Sequence, residues 1–159
     1  MTPRKEIFDI TRQVLEQITQ LELIDLYRNQ FGGAKETYPQ YWTAALIKVN
    51  NIQWEDMVNQ RQEGTVTVDI YLYTKDGWLD QHNTTADAQN GLIEINLIDE
   101  IVNKLQSQQG TQFKPLQQTD DVIEDNSLEG IMSYRLSFET NVYKQVNYPY
   151  TNRKITISS

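Results

Sequence analysis

A strict alternation of apolar and polar residues between Thr65 and Tyr73 constrains the fold of this chain more than any other feature. One side of an extended strand there is apolar and the other polar, with Val66, Val68, Ile70 and Leu72 opposite Thr65, Thr67 and Asp69. Residues 131–142 repeat the alternation, from Met132 and Tyr134 to Val142. Half-buried strands of this kind are typical of an antiparallel sheet with one covered face.

Three further segments carry weaker strand signals. Residues 117–124 are predicted to form a strand that pairs, through a turn at 125–127, with residues 131–142. Residues 42–54 alternate around Ile47, with a turn or bulge at Asn50-Asn51. Residues 21–28 are predicted to be a strand or an extended connection. The sheet is therefore expected to be antiparallel (mixed), with four to five strands.

Two segments have the 3.6-residue period of amphipathic helices. Thr2-Pro3 is a typical N-cap and first helical residue, and the apolar residues after it predict a helix from about Pro3 to Thr19. A second helix is predicted from about Leu92 to Gln108, with an apolar stripe at Ile95, Ile98, Ile101, Val102 and Leu105. Both helices are expected to pack on one face of the sheet, which makes the fold class α+β.

The amino-acid composition limits the classes of function that the chain can have. With 159 residues it is the size of one domain, expected over 1–143 with a C-terminal extension at 144–159. Its net charge of −8 disfavours a protein that binds nucleic acid through phosphates, and its lack of cysteine excludes a disulfide, a thiol nucleophile and a Cys-based zinc site. No apolar run approaches the roughly 20 residues that span a bilayer, so a soluble protein is expected.

No residue constellation predicts catalysis, a cofactor or a metal. The single histidine, His82, lies in a polar stretch and is expected to be solvated. The carboxylates Asp120, Asp121, Glu124 and Asp125 lack the ligand spacing of a calcium loop and are expected to be solvated turn residues. A carboxylate-based enzyme that uses Asp120, Asp121 and Glu124 stays open as an alternative.

Two polar segments are candidates for protein contacts. The first is the long stretch 75–91, in which Trp78 is a candidate interface anchor and His82, four residues later, is a further candidate contact. The second is the extension, which has aromatic residues at Tyr148 and Tyr150 and a short β-prone end at Ile155 and Ile157. A segment of this type can dock on a neighbour or add a strand to a sheet edge, although a frayed terminus or a strand on the chain's own domain is an equal alternative.

The order of segments resembles that of a known class of viral proteins. After the first helix, the chain has in order a loop with Tyr38-Pro39, a strand at 44–49, Glu63-Gly64 leading into the strand at 65–71, a helix at 95–105, the segment Phe113-Lys114-Pro115-Leu116, the acidic stretch 120–125 and the strand segment 134–140. Over about Thr2 to Tyr143 this layout resembles the tail-terminator and tail-completion (head–tail joining) proteins of tailed bacteriophages.

The resemblance implies a structural subunit rather than an enzyme. Such proteins form a ring, commonly a hexamer, that caps the tail tube and joins it to the neck, with tail-tube and neck proteins as partners. DNA would pass without specific binding, no membrane would be involved, and the protein would be found in the virion and, during assembly, in the host cytoplasm. The alternatives are a head–tail connector or neck adaptor of a short-tailed phage and a non-viral protein-binding module.

Overall fold

The computed structural model describes residues 1–33, 35–39, 43–74, 92–124 and 132–146. Its elements, in chain order, are α1 (Pro3–Leu15), β1 (Leu23–Leu26), a short 3₁₀ helix (Lys35–Thr37), β2 (Ala44–Val49), β3 (Gln53–Trp54), β4 (Arg61–Thr74), α2 (Leu92–Leu105), β5 (Gln117–Glu124) and β6 (Met132–Gln145). The class is α+β, as the sequence predicts.

The six strands form one mixed sheet. Their order across it is β1-β2-β4-β6-β5, and β3 pairs with β4 just beyond the end of β2. Only β1 and β2 run parallel among these pairs, while the remaining ones are antiparallel. The count exceeds the predicted four to five because the chain leaves the sheet after Val49 and returns at Gln53, so that residues 42–54 supply two strands instead of one.

The two longest strands, β4 and β6, are paired over fourteen positions, from Arg61 opposite Gln145 to Thr74 opposite Met132. The alternation predicted for both is confirmed, since Val66, Val68, Ile70 and Leu72 of β4 are buried together with Leu136, Phe138 and Val142 of β6. The strands are longer than their alternating segments because the residues at 61–63 and 143–145, most of them polar, continue the ladder.

Both helices pack on the same face of the sheet, which we call the helix face. Ile7, Val14 and Leu15 of α1 and Leu97, Ile101 and Leu105 of α2 share one core cluster with the buried strand residues. Thr2 caps α1 as predicted, because its hydroxyl accepts the Lys5 N–H, but α1 ends four residues earlier than expected. Ile95 departs from the predicted stripe of α2, since it is 52% exposed.

A buried carboxylate joins α1 to the loop that follows α2. Glu6 accepts hydrogen bonds from the backbone N–H and hydroxyl of Thr111, at 2.9 and 2.7 Å, and from the N–H of Gln112 at 2.8 Å. Gly110 permits this approach, because a Cβ atom there would lie 2.8 Å from the Glu6 carboxyl carbon. Burial alone raises the pKa of Glu6, but the three hydrogen bonds outweigh it and the pKa is lowered.

We predict that Glu6→Gln lowers the free energy of unfolding at pH 7 by roughly 1–3 kcal/mol, because an amide cannot accept at both of its termini. The folded-state pKa lies below the ordinary value of 4.5, so the stabilisation by Glu6 is present above that pH and is lost as the pH falls through the folded pKa. Urea denaturation at pH 7 and at about pH 3 should therefore show a difference between variant and parent that shrinks in acid.

The matched control is Glu16→Gln, which removes a carboxylate at the exposed end of the same helix, where it pairs with Arg12 at 3.0 Å. An exposed helical pair of this type contributes little, so near-parental stability is expected. A loss for Glu6→Gln that is the same at both pH values would contradict the assigned role.

Candidate interaction surfaces

The interface residues predicted from the sequence lie outside the described residues. This holds for Trp78 and His82 in the stretch 75–91 and for Tyr148, Tyr150, Ile155 and Ile157 in the extension. They therefore stay predictions. The surfaces that can be built from contacts are formed by other residues, on the sheet and at its edges.

The face of the sheet opposite the helices, the second face, is partly covered by aromatic side chains. Tyr27 stacks on Tyr71 at a ring-centroid distance of 4.4 Å, and Phe31 stacks on Tyr73 at 4.3 Å. Lys48 lies 5.3 Å from the centre of the Tyr27 ring, an ordinary cation–π distance. Burial, together with the nearby Tyr27, raises the pKa of Tyr73 to about 12. The segment after β1 thus builds a second, smaller core with Ala44 and Leu46 of β2.

Beside the aromatic residues, a line of polar side chains crosses the second face. Asp69 accepts hydrogen bonds from Ser137 at 2.5 Å and from the amide of Asn50 at 2.7 Å. Arg135 donates to the Ser137 hydroxyl at 2.9 Å and so extends the line toward β5. Asp69 and Ser137 are buried, contrary to the prediction of a solvated polar face. Buried polar groups need such partners, and these join β4 to β6 and to the end of β2.

Of the acidic residues considered for catalysis or cation binding, Asp120, Asp121 and Glu124 lie in the edge strand β5 rather than in a turn, and Asp125 lies outside the described residues. Glu124 accepts from Arg135 at 2.7 Å, and Asp120 lies 3.6 Å from the same guanidinium. Asp121, by contrast, points to the helix face, where it stands opposite Leu136. Across the described ranges, no three His, Cys, Asp or Glu side chains are grouped so as to hold a metal ion.

A groove lies on the helix face where β4 and β6 extend past the N-terminus of α1. It has a volume of about 490 Å³ and is lined by Thr2, Pro3, Arg4, Asn51, Ile52, Trp54 and Lys144. Trp54 and Ile52 cover Gly64, whose missing side chain is essential, because a Cβ would lie 2.7 Å from the Gln53 carbonyl oxygen and 3.0 Å from the Trp54 ring. The Lys144 ammonium lies 4.3 Å from the centre of the Trp54 ring.

Arg4 fixes the other wall of the groove. Its guanidinium donates to the carbonyl oxygen of Val49, and also to that of Asn50 at 2.9 Å, so that the start of α1 is fastened to the end of β2. The lining of the groove thus combines the apolar side chains of Ile52 and Trp54 with the cations Arg4 and Lys144.

The opposite edge of the sheet, at β5, carries carboxylates where the groove carries cations. Ile123 of β5 is 66% exposed and stands opposite Tyr134 of β6 on the helix face. Glu94 of α2 accepts a hydrogen bond from the Tyr134 hydroxyl at 3.0 Å. Burial, helped by the charges of Glu94 and Asp121, raises the pKa of Tyr134 to about 12. We call Ile123 with Asp121 and Glu94 the edge patch: an exposed apolar side chain among carboxylates.

No protein-family model matches the chain, and no curated protein is similar to it. Among the described helices, none is both long and apolar enough to cross a membrane.

Sequence reasoning missed the groove and the edge patch because both depend on strand register. One signal was available for the second face: Tyr71 and Tyr73 occupy the otherwise polar side of the β4 alternation and call for partners. Gly64 is a second signal, since a glycine inside a strand often marks a close approach of another group.

We predict that Asp69→Asn lowers the free energy of unfolding by roughly 1–3 kcal/mol, because one end of the new amide presents a donor to Ser137 or to Asn50, both of which donate. Thermal or urea unfolding measures the loss. Glu139→Gln is the matched control, since it removes the same charge from an exposed position two residues beyond Ser137 on the same face. Equal stability of the two variants would show that the polar line contributes nothing.

Proposed function

We propose that this chain is a non-enzymatic structural subunit that assembles into a ring in a bacteriophage virion, as a tail-terminator or tail-completion protein. The observation that carries the proposal is the placement of two separate candidate contact surfaces on one sheet, the groove around Ile52 and Trp54 and the exposed Ile123 on the outer strand β5. A ring subunit needs contact surfaces on two sides, whereas a module that binds one partner needs only one.

The outer strands support this role in a second way. Within the described residues, β1 and β5 each have a single strand neighbour. β5 carries a bulge at Thr119 and the charges of Asp120, Asp121 and Glu124, features that hinder uncontrolled strand addition at an edge. Contacts between subunits would then be made by specific side chains rather than by open-ended sheet extension.

The charge of the chain suits a subunit that surrounds a DNA path. A net charge of −8 repels phosphate, so DNA can pass such a ring without being held. The layout of helices and strands on which the resemblance rests points to the same class. The partners in this proposal are further copies of the chain, the end of the tail tube and the neck proteins.

The proposal predicts a specific defect in a phage that lacks the gene. Deletion should give particles with overlong tails or with heads and tails unjoined, and a plasmid-borne copy should restore normal particles. Negative-stain electron microscopy and plaque counts measure both effects. Tails of abnormal length indicate a terminator, and tails of normal length that stay unjoined indicate a neck adaptor. Normal infectious particles from the deletion would contradict both roles.

A further inference from the structure

We propose that the groove of one copy receives the edge patch of the next copy, so that this contact, repeated head to tail, closes the ring. The inference rests on the proposed function and specifies the interface through which it would operate. The occupant of the groove is thus a second copy of this chain, and its central contact is Ile123 against Ile52 and Trp54.

The two surfaces are complementary in charge and polarity. The groove combines the cations Arg4 and Lys144 with the apolar surface of Ile52 and Trp54. In the described part of the chain, no carboxylate lies within ion-pair distance of either cation. A cationic site of this kind on a chain of net charge −8 selects an acidic partner that also carries an apolar side chain.

The edge patch meets both requirements. Ile123 presents most of its surface to solvent, and Asp121 precedes it by two residues on the same side of β5. Glu94 adds a second carboxylate beside Tyr134. Interface hot spots form where side chains pack in a desolvated, aromatic-lined pocket, and opposite charges around it add specificity.

The two surfaces cannot meet within one chain. Trp54 stands opposite Gly64 on the outer side of β4, whereas Ile123 lies beyond β6, three strand spacings away across the sheet. Gly64 pairs with Val142, eight residues along β6 from Tyr134. With about 4.8 Å between strands and about 3.4 Å per residue, the separation is roughly 30 Å. Each copy therefore offers a groove and an edge patch to two different neighbours.

This geometry gives a heterologous contact, in which two different surfaces of the same chain meet. Such contacts form a closed ring when the rotation between neighbours closes. A two-fold dimer can form in two ways, either with each surface facing its own copy or with the groove of each copy receiving the edge patch of the other. Like charges disfavour the first way, since two grooves would oppose cations and two edge patches would oppose carboxylates, and the mass of the assembly distinguishes the second way from a ring.

The test compares the assembly of four single variants by mass photometry over a concentration series, with circular dichroism to verify folding. Ile123→Lys and Lys144→Glu each place like charges in the contact, and each should raise the concentration needed for assembly about tenfold or more. Val58→Lys is the control for the first, because Val58 is 67% exposed at the β3–β4 turn. Lys114→Glu, which makes the same change at an exposed lysine outside both surfaces, is the control for the second. Both controls should assemble like the parent chain.

A rescue experiment makes the assignment specific. The double variant Ile123→Lys/Lys144→Glu, and a one-to-one mixture of the two single variants, restore opposite charges at the contact and should again form rings. If the parent forms rings and both interface variants assemble like their controls, the inference is overturned while the proposed function stands. If both variants block assembly and neither the double variant nor the mixture restores it, the pairing of these two surfaces is overturned. A parent chain that forms no ring contradicts the proposed function itself.

Discussion

The fourteen-position antiparallel ladder between β4 and β6 is the interaction on which the rest of the structure depends. Its inward-facing side chains supply the centre of the core on the helix face, and its outward-facing residues Asp69 and Ser137 supply the buried polar line on the second face. The ladder also extends past β2 and β5, and that extension carries Gly64, Trp54 and Lys144. A shift of one residue between these strands would turn every side chain of one of them to the other face.

Both faces of the sheet contribute to keeping that register. On the helix face, Glu6 joins α1 to the loop after α2, so that the two helices cover the ladder as one layer. On the second face, Asp69 is bonded to Ser137 directly across β4 and β6. The first contact depends on an ionised carboxylate and weakens in acid, whereas the stacked pairs Tyr27–Tyr71 and Phe31–Tyr73 depend on the packing of their rings.

Local patterns predicted the elements well, and contacts between distant residues explain what they missed. The alternation at 65–73 and the N-cap at Thr2 depend on neighbours in sequence, and both agree with the structure. The burial of Asp69 depends on Ser137, 68 residues away, and that of Glu6 on Thr111, 105 residues away. No local pattern reports such pairs. Likewise, the sequence pattern predicts that Ile123 belongs to a strand, but only the order of strands in the sheet shows that this strand, β5, is at an edge, where Ile123 is exposed.

The proposed assembly follows from an asymmetry of this fold. Arg4, at the start of α1, and Lys144, at the end of β6, bring positive charge to one side of an acidic chain, while Asp121 and Glu94 keep negative charge on the other. Opposite charges on two sides of one sheet favour neighbours that point the same way around a ring. The negative charge of the whole would then keep DNA from adhering to its inner surface.

The most direct test of this account is electron microscopy of the purified full-length chain, together with native mass spectrometry. The account predicts closed rings of one copy number, with a rotation axis through an open centre and no two-fold axis between neighbouring subunits. A chain that stays monomeric at high concentration, or that forms only two-fold dimers, would contradict it.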